Sequence, residues 1–589
     1  MAGGHYSPAM LAFFAERKVA TEFALRILVA AVCGLFLIYM VPYWTRRLFA
    51  GIDTSRGPLR VLARPFVVSS RLMRNVLVRK VPGFTSAGHA LFAAAFFAIL
   101  VAFSFVRLST SSISNYAARF GWMAEIAMSV TVFLSLKNTP LAFLTPYSYE
   151  RLNRIHQVTG CIMFVFMVLH AAIYTFYFNS TGRLKEKYAE RAEVAAIVAG
   201  FAFTTAAFSG IFRRIWYELF KMIHIPCWIM GAVALGFHQP DWAKKVLIIT
   251  IVAGAIWVLD VFLRLCKLGY NSINNEATLY PLPGGFTRVT MKKGPAGAQP
   301  GKHCFLWIPA VRKFQLHPFT YHRASPMEFT IKAQDGFTRD LYQYATAHPG
   351  ATVTVSFDGP YGTFPNPIKF DKIVLVAGGA GATFTIGLVE NLLAKMNGES
   401  HNKVVFIWSV KEHENLSWFS DQLEIFKTHE HSAKIDFSLH VTRAQSYPPT
   451  LSLTNIHDTN ESGNDNGSSS ESGGSAPVSP AETDLEKRNL TEKDLERAIE
   501  ARIEHHASDA SKKEATAATT LSSNYLINTG RPDVPSLIRG AVTATPSNQR
   551  VLVAGCGPDE LRAAVRSTAA SLIVANGPAV ELHEEQFGW

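Results

Sequence analysis

The run Ile155-His156-Gln157-Val158-Thr159-Gly160-Cys161-Ile162-Met163-Phe164-Val165-Phe166-Met167-Val168-Leu169-His170 decides how the first half of this chain is read. It is apolar enough to cross a bilayer, yet it carries a histidine near each end. Fourteen steps separate His156 from His170. At ~100° per step both rings return to one helix face, within ~40°, and the rise of ~1.5 Å per residue sets them ~21 Å apart. Two apolar runs later, His224 and His238 repeat the same spacing. A lone histidine in a span is often just a packed, hydrogen-bonded residue. Two pairs with one spacing are hard to obtain by chance, and ionisable groups in spans are functional by default. Two such helices face to face give two histidine pairs, one toward each side of the membrane. A haem fits between two imidazoles that bind its iron from opposite faces. His156 and His224 are therefore expected as axial ligands of an inner haem, and His170 and His238 of an outer one. With both axial positions filled by protein, electron transfer is favoured over ligand chemistry at the iron.

Outward from this run, the chain divides into two halves. Its 589 residues exceed a single domain, and 49% are hydrophobic against 17% charged. The apolar excess lies in spans read near 23–44, 88–107, 121–137, 155–177, 193–212, 215–237 and 246–266. Between Thr45 and Ala87 stand nine Lys/Arg against one acid, Asp53. Basic loops stay on the cytoplasmic side, so the N-terminus is expected outside and the C-terminal half in the cytosol. Arg213, Arg214 and Lys267 agree with that orientation; the stretch Arg183–Arg191 does not. The net charge of +12 thus belongs beside the membrane, and no basic stripe with interleaved aromatics suggests nucleic acid. The six cysteines form no Cys-x-x-Cys pair and no disulfide framework. No short apolar run with a small-residue cleavage site marks a removable signal.

After Gly269 short β-branched and aromatic runs appear: Phe286–Met291, His303–Ile308, Glu328–Ala333 and Thr352–Phe357. Their spacing predicts a small antiparallel barrel. From Lys372 the pattern becomes that of a parallel α/β sheet, with strands at Lys372–Val376, Lys403–Trp408, Lys434–His440 and Arg550–Ala554. The expected domains are 1–87 (a span and a basic cytosolic loop), 88–266 (a di-haem membrane bundle), 267–368 (barrel) and 369–589 (α/β). Residues 446–520, rich in Ser, Gly, Asn and Glu, read as a disordered insertion, with a charged helix at Asp484–His506.

The soluble half carries turns that suit nucleotides. Val374-Leu375-Val376-Ala377 leads into Gly378-Gly379-Ala380-Gly381-Ala382-Thr383 and then a helical stretch, which lets backbone N–H groups approach a pyrophosphate. A second strand leads into Gly555-Cys556-Gly557-Pro558, where Cys556 could meet a nicotinamide or simply be a buried cysteine. His317-Pro318-Phe319-Thr320, at a strand end, could hold an isoalloxazine ring or be only a turn. Asp358–Gly362 reads as a turn between the soluble domains. The terminal Trp589 could stack on a flavin face or pack on the sheet edge.

Together these residues resemble the ferric-reductase transmembrane superfamily, which includes ferric-chelate reductases and NADPH oxidases. The likeness runs from about Gly121 to the end, apart from the insertion, and Ser148-Tyr149-Glu150-Arg151-Leu152-Asn153 with His156 and His170 is especially similar to the fungal ferric reductases. The resemblance implies FAD, two haems b and NADPH as cofactors. It implies FAD contacts from His317, Pro318, Phe319 and Thr320. Gly378, Gly379, Gly381 and Thr383 would meet the nucleotide phosphates, with Cys556, Gly557 and Pro558 in the second NADPH motif. Lys411 would take the 2′-phosphate, or be a solvated charge. Both histidine gaps are thirteen residues, as in the metalloreductases of the superfamily; its oxidases are usually one shorter in the second. Ferric or cupric chelates or siderophores are therefore the expected acceptors, at the plasma membrane, with a multicopper oxidase and iron permease system downstream. Superoxide production from oxygen is the alternative. The stretch after Thr320 is one residue longer than the usual family version. Asn179-Ser180-Thr181 is a glycosylation sequon on the expected outer side.

Overall fold

The computed structural model describes residues 8–48, 59–145, 147–238, 244–443 and 525–585. The N-terminal half is helical: α1 (Pro8–Leu48), α2 (Leu59–Val78), α3 (Ala87–Phe105), α4 (Ile113–Ser135), a short α5 (Leu141–Leu144), α6 (Tyr149–Ser180), a short α7 (Leu184–Tyr188), α8 (Arg191–Ser209), α9 (Tyr217–Phe237) and α10 (Lys244–Ser272). Seven of these are long and apolar enough to cross a membrane, one for each predicted span. The ends differ: α1 begins at Pro8 and α6 at Tyr149, because polar residues can extend a helix beyond its apolar stretch.

Two sequence expectations need correction. The basic stretch 45–87 is not all loop, since Leu59–Val78 forms a helix despite Pro65 inside it. It is amphipathic, with Leu72, Met73 and Val76 exposed. His238 is not inside its helix but caps it, one residue past Phe237.

The spans pack into a bundle whose core joins α1, α3, α4 and α6 through Leu28, Phe96, Met123 and Phe166. Polar ties fix the ends. On the far side, buried Arg119 donates to the carbonyls of Phe103 and Val106. On the side of the soluble domains, Asp260 accepts from the backbone and side chain of Asn138. These contacts satisfy groups that lipid would leave unpaired.

The next strands form a seven-stranded antiparallel sheet, β1 (Glu276–Leu282), β2 (Phe286–Met291), β3 (His303–Trp307), β4 (His317–Ala324), β5 (Met327–Lys332), β6 (Ala351–Thr354) and β7 (Ser356–Tyr361). The order is β6-β1-β2-β5-β4-β3-β7. Its two edges, β6 and β7, are separated in sequence by Val355 alone, so the sheet curls on itself as a barrel. α11 (Phe337–Ala347) stoppers it with Phe337, Leu341 and Ala345. Asp358–Tyr361 lies in β7 and is not a connecting turn. The His317–Thr320 stretch begins a strand in the middle of the sheet rather than ending one.

The last unit is a six-stranded parallel sheet of β8 (Lys372–Gly378), β9 (Lys403–Val410), β10 (Ile435–Val441), β11 (Ile527–Thr529), β12 (Arg550–Cys556) and β13 (Ala579–Glu585), in the order β11-β10-β9-β8-β12-β13. α12 (Ala382–Leu393), α13 (Ser420–Thr428), α14 (Val534–Thr543) and α15 (Asp559–Ser571) cover it. Apolar cores lie on both faces, around Phe384 and Trp408 on one and Val551 and Val565 on the other, as a buried parallel sheet requires.

Candidate electron-transfer site

Four helices build the membrane part of the site. α6 supplies His156 and His170; α9 and its cap supply His224 and His238. The ring centroids of His156 and His224 are 6.3 Å apart, and those of His170 and His238 are 6.1 Å apart. A metal bound by one nitrogen of each ring at ~2 Å, plus the depth of two imidazoles, calls for a separation of this size. All four Nδ1 atoms donate to main-chain carbonyls: His156 to Thr131 at 2.8 Å, His170 to Ala117 at 2.8 Å, His224 to Ala206 at 2.9 Å and His238 to Ala192 at 3.1 Å. A carbonyl can only accept, so each ring keeps its proton on Nδ1 and leaves Nε2 as the lone-pair nitrogen. Outer hydrogen bonds of this kind orient ligating histidines. Among the described residues no group of three or more His, Cys, Asp or Glu gathers to hold a metal, so iron binding rests on these facing pairs. The donor set fits a haem held from both faces.

Gly121 is part of this arrangement. A Cβ there would lie 2.6 Å from His170 Nδ1. Sequence alone does not disclose it, because the contact couples α4 to α6 and has no signature within either run.

The joint between bundle and barrel is built by the Ser148–Asn153 stretch at the start of α6. Glu150 Oε1 lies 2.7 Å from His303 Nε2 on β3. Tyr149 packs against Phe305 and Tyr361 of the barrel. Arg151 donates to the carbonyl of Glu584 at 2.9 Å, in the nucleotide domain. Beside them Lys137 stands 3.2 Å from the centroid of the Phe305 ring. Burial, with Arg264 nearby, holds its pKa well below the ordinary lysine value. Sequence alone assigns Ser148–Asn153 no role beyond its family likeness, and does not single out His303 or Lys137. Charged residues just outside a span are the signal that could have found them.

On the barrel, His317, Pro318, Phe319 and Thr320 run consecutively along β4, paired with Leu306, Phe305, Cys304 and His303. The His317 ring stacks on Phe337, centroids 4.7 Å apart. Burial, then Lys221 and Arg312, push the pKa of His317 down to about 4, so it is neutral at pH 7. The Thr320 hydroxyl is buried without a hydrogen-bond partner. An orphaned hydroxyl there fits a polar ring edge such as that of a flavin. The extra residue after Thr320 has a place: Tyr321 pairs with Phe329 and Arg323 with Glu328, so His322 is a bulge in β4. Its ring is buried, with Nε2 3.5 Å from Glu328.

The two glycine turns meet. The sheet order reverses between β8 and β12, and a crevice at such a switch point is where open parallel sheets bind ligands. Gly378 ends β8, and Gly379–Gly381 makes a tight turn into α12. A Cβ on Gly381 would collide with the carbonyl oxygen of Cys556, and one on Gly378 would lie 2.8 Å from Pro558 Cδ. Close approach of the turns therefore requires the missing side chains. Gly557 lies in the same contact. Lys411 follows β9 on the same carboxyl edge and is exposed. Thr383 is less available: its hydroxyl donates to the Ala380 carbonyl at 2.8 Å, so its proton is committed to the turn. Cys556 is buried, and burial pushes its thiol up to about 12, so it remains protonated. Trp589, the insertion 446–520 and the Asp484–His506 stretch lie outside the described residues.

Three families match consecutive parts of the chain. Residues 120–235 match the ferric reductase like transmembrane component, 271–364 an FAD-binding domain and 370–570 the ferric reductase NAD binding domain. A probable cell surface ferric reductase of Aspergillus oryzae is 27% identical over 384 residues, covering 58% of this chain and 50% of the relative. A probable ferric reductase transmembrane component of Candida albicans is 25% identical over 357 residues, covering 56% and 49%. A ferric/cupric reductase transmembrane component of Saccharomyces cerevisiae is 27% identical over 287 residues, covering 46% and 39%. The chain thus spans about half the length, or less, of these three relatives. The three modules follow one another as bundle, flavin barrel and nucleotide sheet, and over them the chain is similar to the fungal ferric reductases.

Proposed function

We propose that this chain carries electrons from cytosolic NADPH, by way of FAD and two haems b, to ferric or cupric chelates on the opposite side of a membrane. The observation that carries the reading is the common tautomer of His156, His170, His224 and His238, each with Nδ1 spent on a carbonyl and Nε2 left free. When bound, flavin converts a two-electron donor into single electrons, and the haem irons are one-electron carriers.

The protein's own work is placement. The turns Gly378–Gly381 and Gly557 bring backbone close enough to receive a pyrophosphate, and Lys411 on the same edge suits a 2′-phosphate. Cys556 is a neutral thiol beside that crevice and is not a nucleophile. The His317–Thr320 strand offers a stacked aromatic edge and a spare hydroxyl to an isoalloxazine. Glu150, Tyr149 and Arg151 hold the barrel and the sheet against the foot of α6, below His156. His170 and His238 stand about 21 Å further on, two-thirds of a ~30 Å hydrocarbon core. An acceptor therefore needs no ligand cluster of its own; it needs only to reach the outer edge of the path. Free chelates or siderophores suit this, with a multicopper oxidase and permease taking up the product, and the plasma membrane is the expected site.

The test is NADPH-driven reduction of Fe(III)-citrate by protein reconstituted in liposomes with FAD and haem. Fe(II) formation that persists with superoxide dismutase and without oxygen is the expected result. Iron reduction that disappears under either condition would make the protein an oxidase instead.

A further inference from the structure

A cavity of about 310 Å³ lies where α3, α6, the turn Phe212–Arg214 and α15 of the nucleotide domain converge. Six basic residues line it. Two are already matched: Arg562 with Asp559 and the Gly557 carbonyl, Arg566 with Glu584 and the Val78 carbonyl. The other four, Lys80, Arg154, Arg213 and Arg214, have no ion-pair partner among the described residues. Burial, then the neighbouring cations Arg154 and Arg214, lower the pKa of Arg213, so the two carboxylates of the lining, Asp559 and Glu584, do not neutralise this cluster. His89 also lines the cavity. It is 7% exposed; its Nδ1 meets Thr85 Oγ1, and its Nε2 has no partner. Thr85, Gln157 and the carboxylates Asp559 and Glu584 add polar lining, and Phe84, Ala93, Ile155 and Val158 form an apolar strip.

This cavity is neither the histidine site nor the nucleotide crevice. Arg154 and Val158 are each two steps from His156 on α6, which is ~200° around the helix, so His156 faces away from them. None of Gly378–Gly381, Cys556 or Gly557 lines it. It sits at the ends of spans, level with α2, whose Leu72, Met73 and Val76 are exposed. A group of cations without ion-pair partners beside an apolar strip, at the ends of the spans, is complementary to a lipid: phosphate to the arginines, acyl chain to Ala93 and Val158. A basic cluster next to spans attracts anionic headgroups on general grounds.

We propose that this cavity binds the phosphate headgroup of an anionic phospholipid from the leaflet facing the soluble domains, and that the bound lipid ties α15 to the membrane bundle. The chemistry recognised is a phosphate ester; its source is the bilayer rather than solution.

Delipidated full-length protein in detergent would be titrated with dioctanoyl-phosphatidylserine, dioctanoyl-phosphatidylcholine and inorganic phosphate. Phosphatidylserine should bind tightest. Arg154→Gln with Arg213→Gln should weaken it roughly tenfold or more, and Arg154→Lys with Arg213→Lys should restore it to within about threefold, since the charge near the headgroup is what counts. Equal binding by the Gln variant, or inorganic phosphate binding as tightly as the lipid, would overturn the proposal. If the Gln variant does not fold, the comparison of three ligands on the unaltered protein decides alone. Hydrogen exchange gives the second readout: phosphatidylserine should slow exchange of α15 amides, and unchanged exchange would refute the tie.

Discussion

His170 keeps its orientation only because Gly121 has no side chain. Gly121→Ala would place a carbon 2.6 Å from the nitrogen that donates to Ala117. The ring must turn, and with it the free Nε2. Loss of such a support typically costs metal affinity 10- to 100-fold, so reconstituted Gly121→Ala protein should retain about half the haem absorbance per chain, from the His156–His224 pair. Full occupancy would show that α4 does not fix the ring. At His317 the sign of the pH effect follows from its pKa, lowered from 6.5 to about 4. As pH falls below 6.5 the unfolded chain takes up the proton first, so the folded state loses up to ~3 kcal/mol by pH 4, and nothing above pH 6.5. In flavin-free protein, His317→Gln should flatten the fall of melting temperature between pH 6.5 and 4. An unchanged slope would mean that other groups carry it. Residue types alone disclose the four histidines and the glycine turns. They cannot disclose Gly121 or the spent proton of Thr383, because both depend on what another element brings close.

The segment of α6 from Tyr149 to Arg151 touches the barrel and the sheet at once. Glu150→Gln with Arg151→Ala should leave flavin reduction by NADPH near normal but slow haem reduction on the order of tenfold or more, since small misplacements of reacting groups are costly. Stopped-flow traces at flavin and haem wavelengths separate the two; equal slowing of both would contradict a joint role. At this scale the sequence is legible where one force dominates. All seven spans are readable from hydropathy, and β2, β3, β5, β8, β9, β10 and β12 from β-branched runs. β4 is not, because His317, Pro318, His322 and Arg323 look like a loop; neighbouring strands, the bulge at His322 and the Glu328 pairing make it a strand. β13 is hidden by its acids, of which Glu584 is buried only because Arg566 meets it. α2 looks like loop since its arginines mask a helical period, and the run Thr352–Phe357 splits in two at Val355 where the barrel turns its corner.

At the scale of the molecule, the soluble domains rest on the ends of the spans through contacts of different chemistry. Glu150 meets the His303 ring, Lys137 lies over the Phe305 ring, and Arg71 of α2 donates to the carbonyls of Ala575 and Gly577 beyond the end of α15. The first two lie side by side on β3 and the third is at the nucleotide sheet, so the barrel and the sheet each have a seat on the bundle. The Glu150–His303 contact is buried, so higher ionic strength should weaken it little.

The nucleotide sheet has a property that bears on how the chain can be handled. β10 and β11 pair in parallel at one edge, and the residues that connect them in sequence, 442–526, contain neither of the glycine turns that meet at the crevice. Of the strands beyond that connection β11 and β13 are the two edges, while β12 lies between β8 and β13 and supplies the turn that faces Gly381. Residues 525–585 thus carry β11, α14, β12, α15 and β13, three of the sheet's six strands. Cutting the connection with an engineered protease site should leave two fragments that copurify and still reduce flavin with NADPH. Expressed apart, they should complement each other. Enzyme activity would then report whether two fused proteins meet beneath a membrane, which makes this insertion point a ready place to build a sensor.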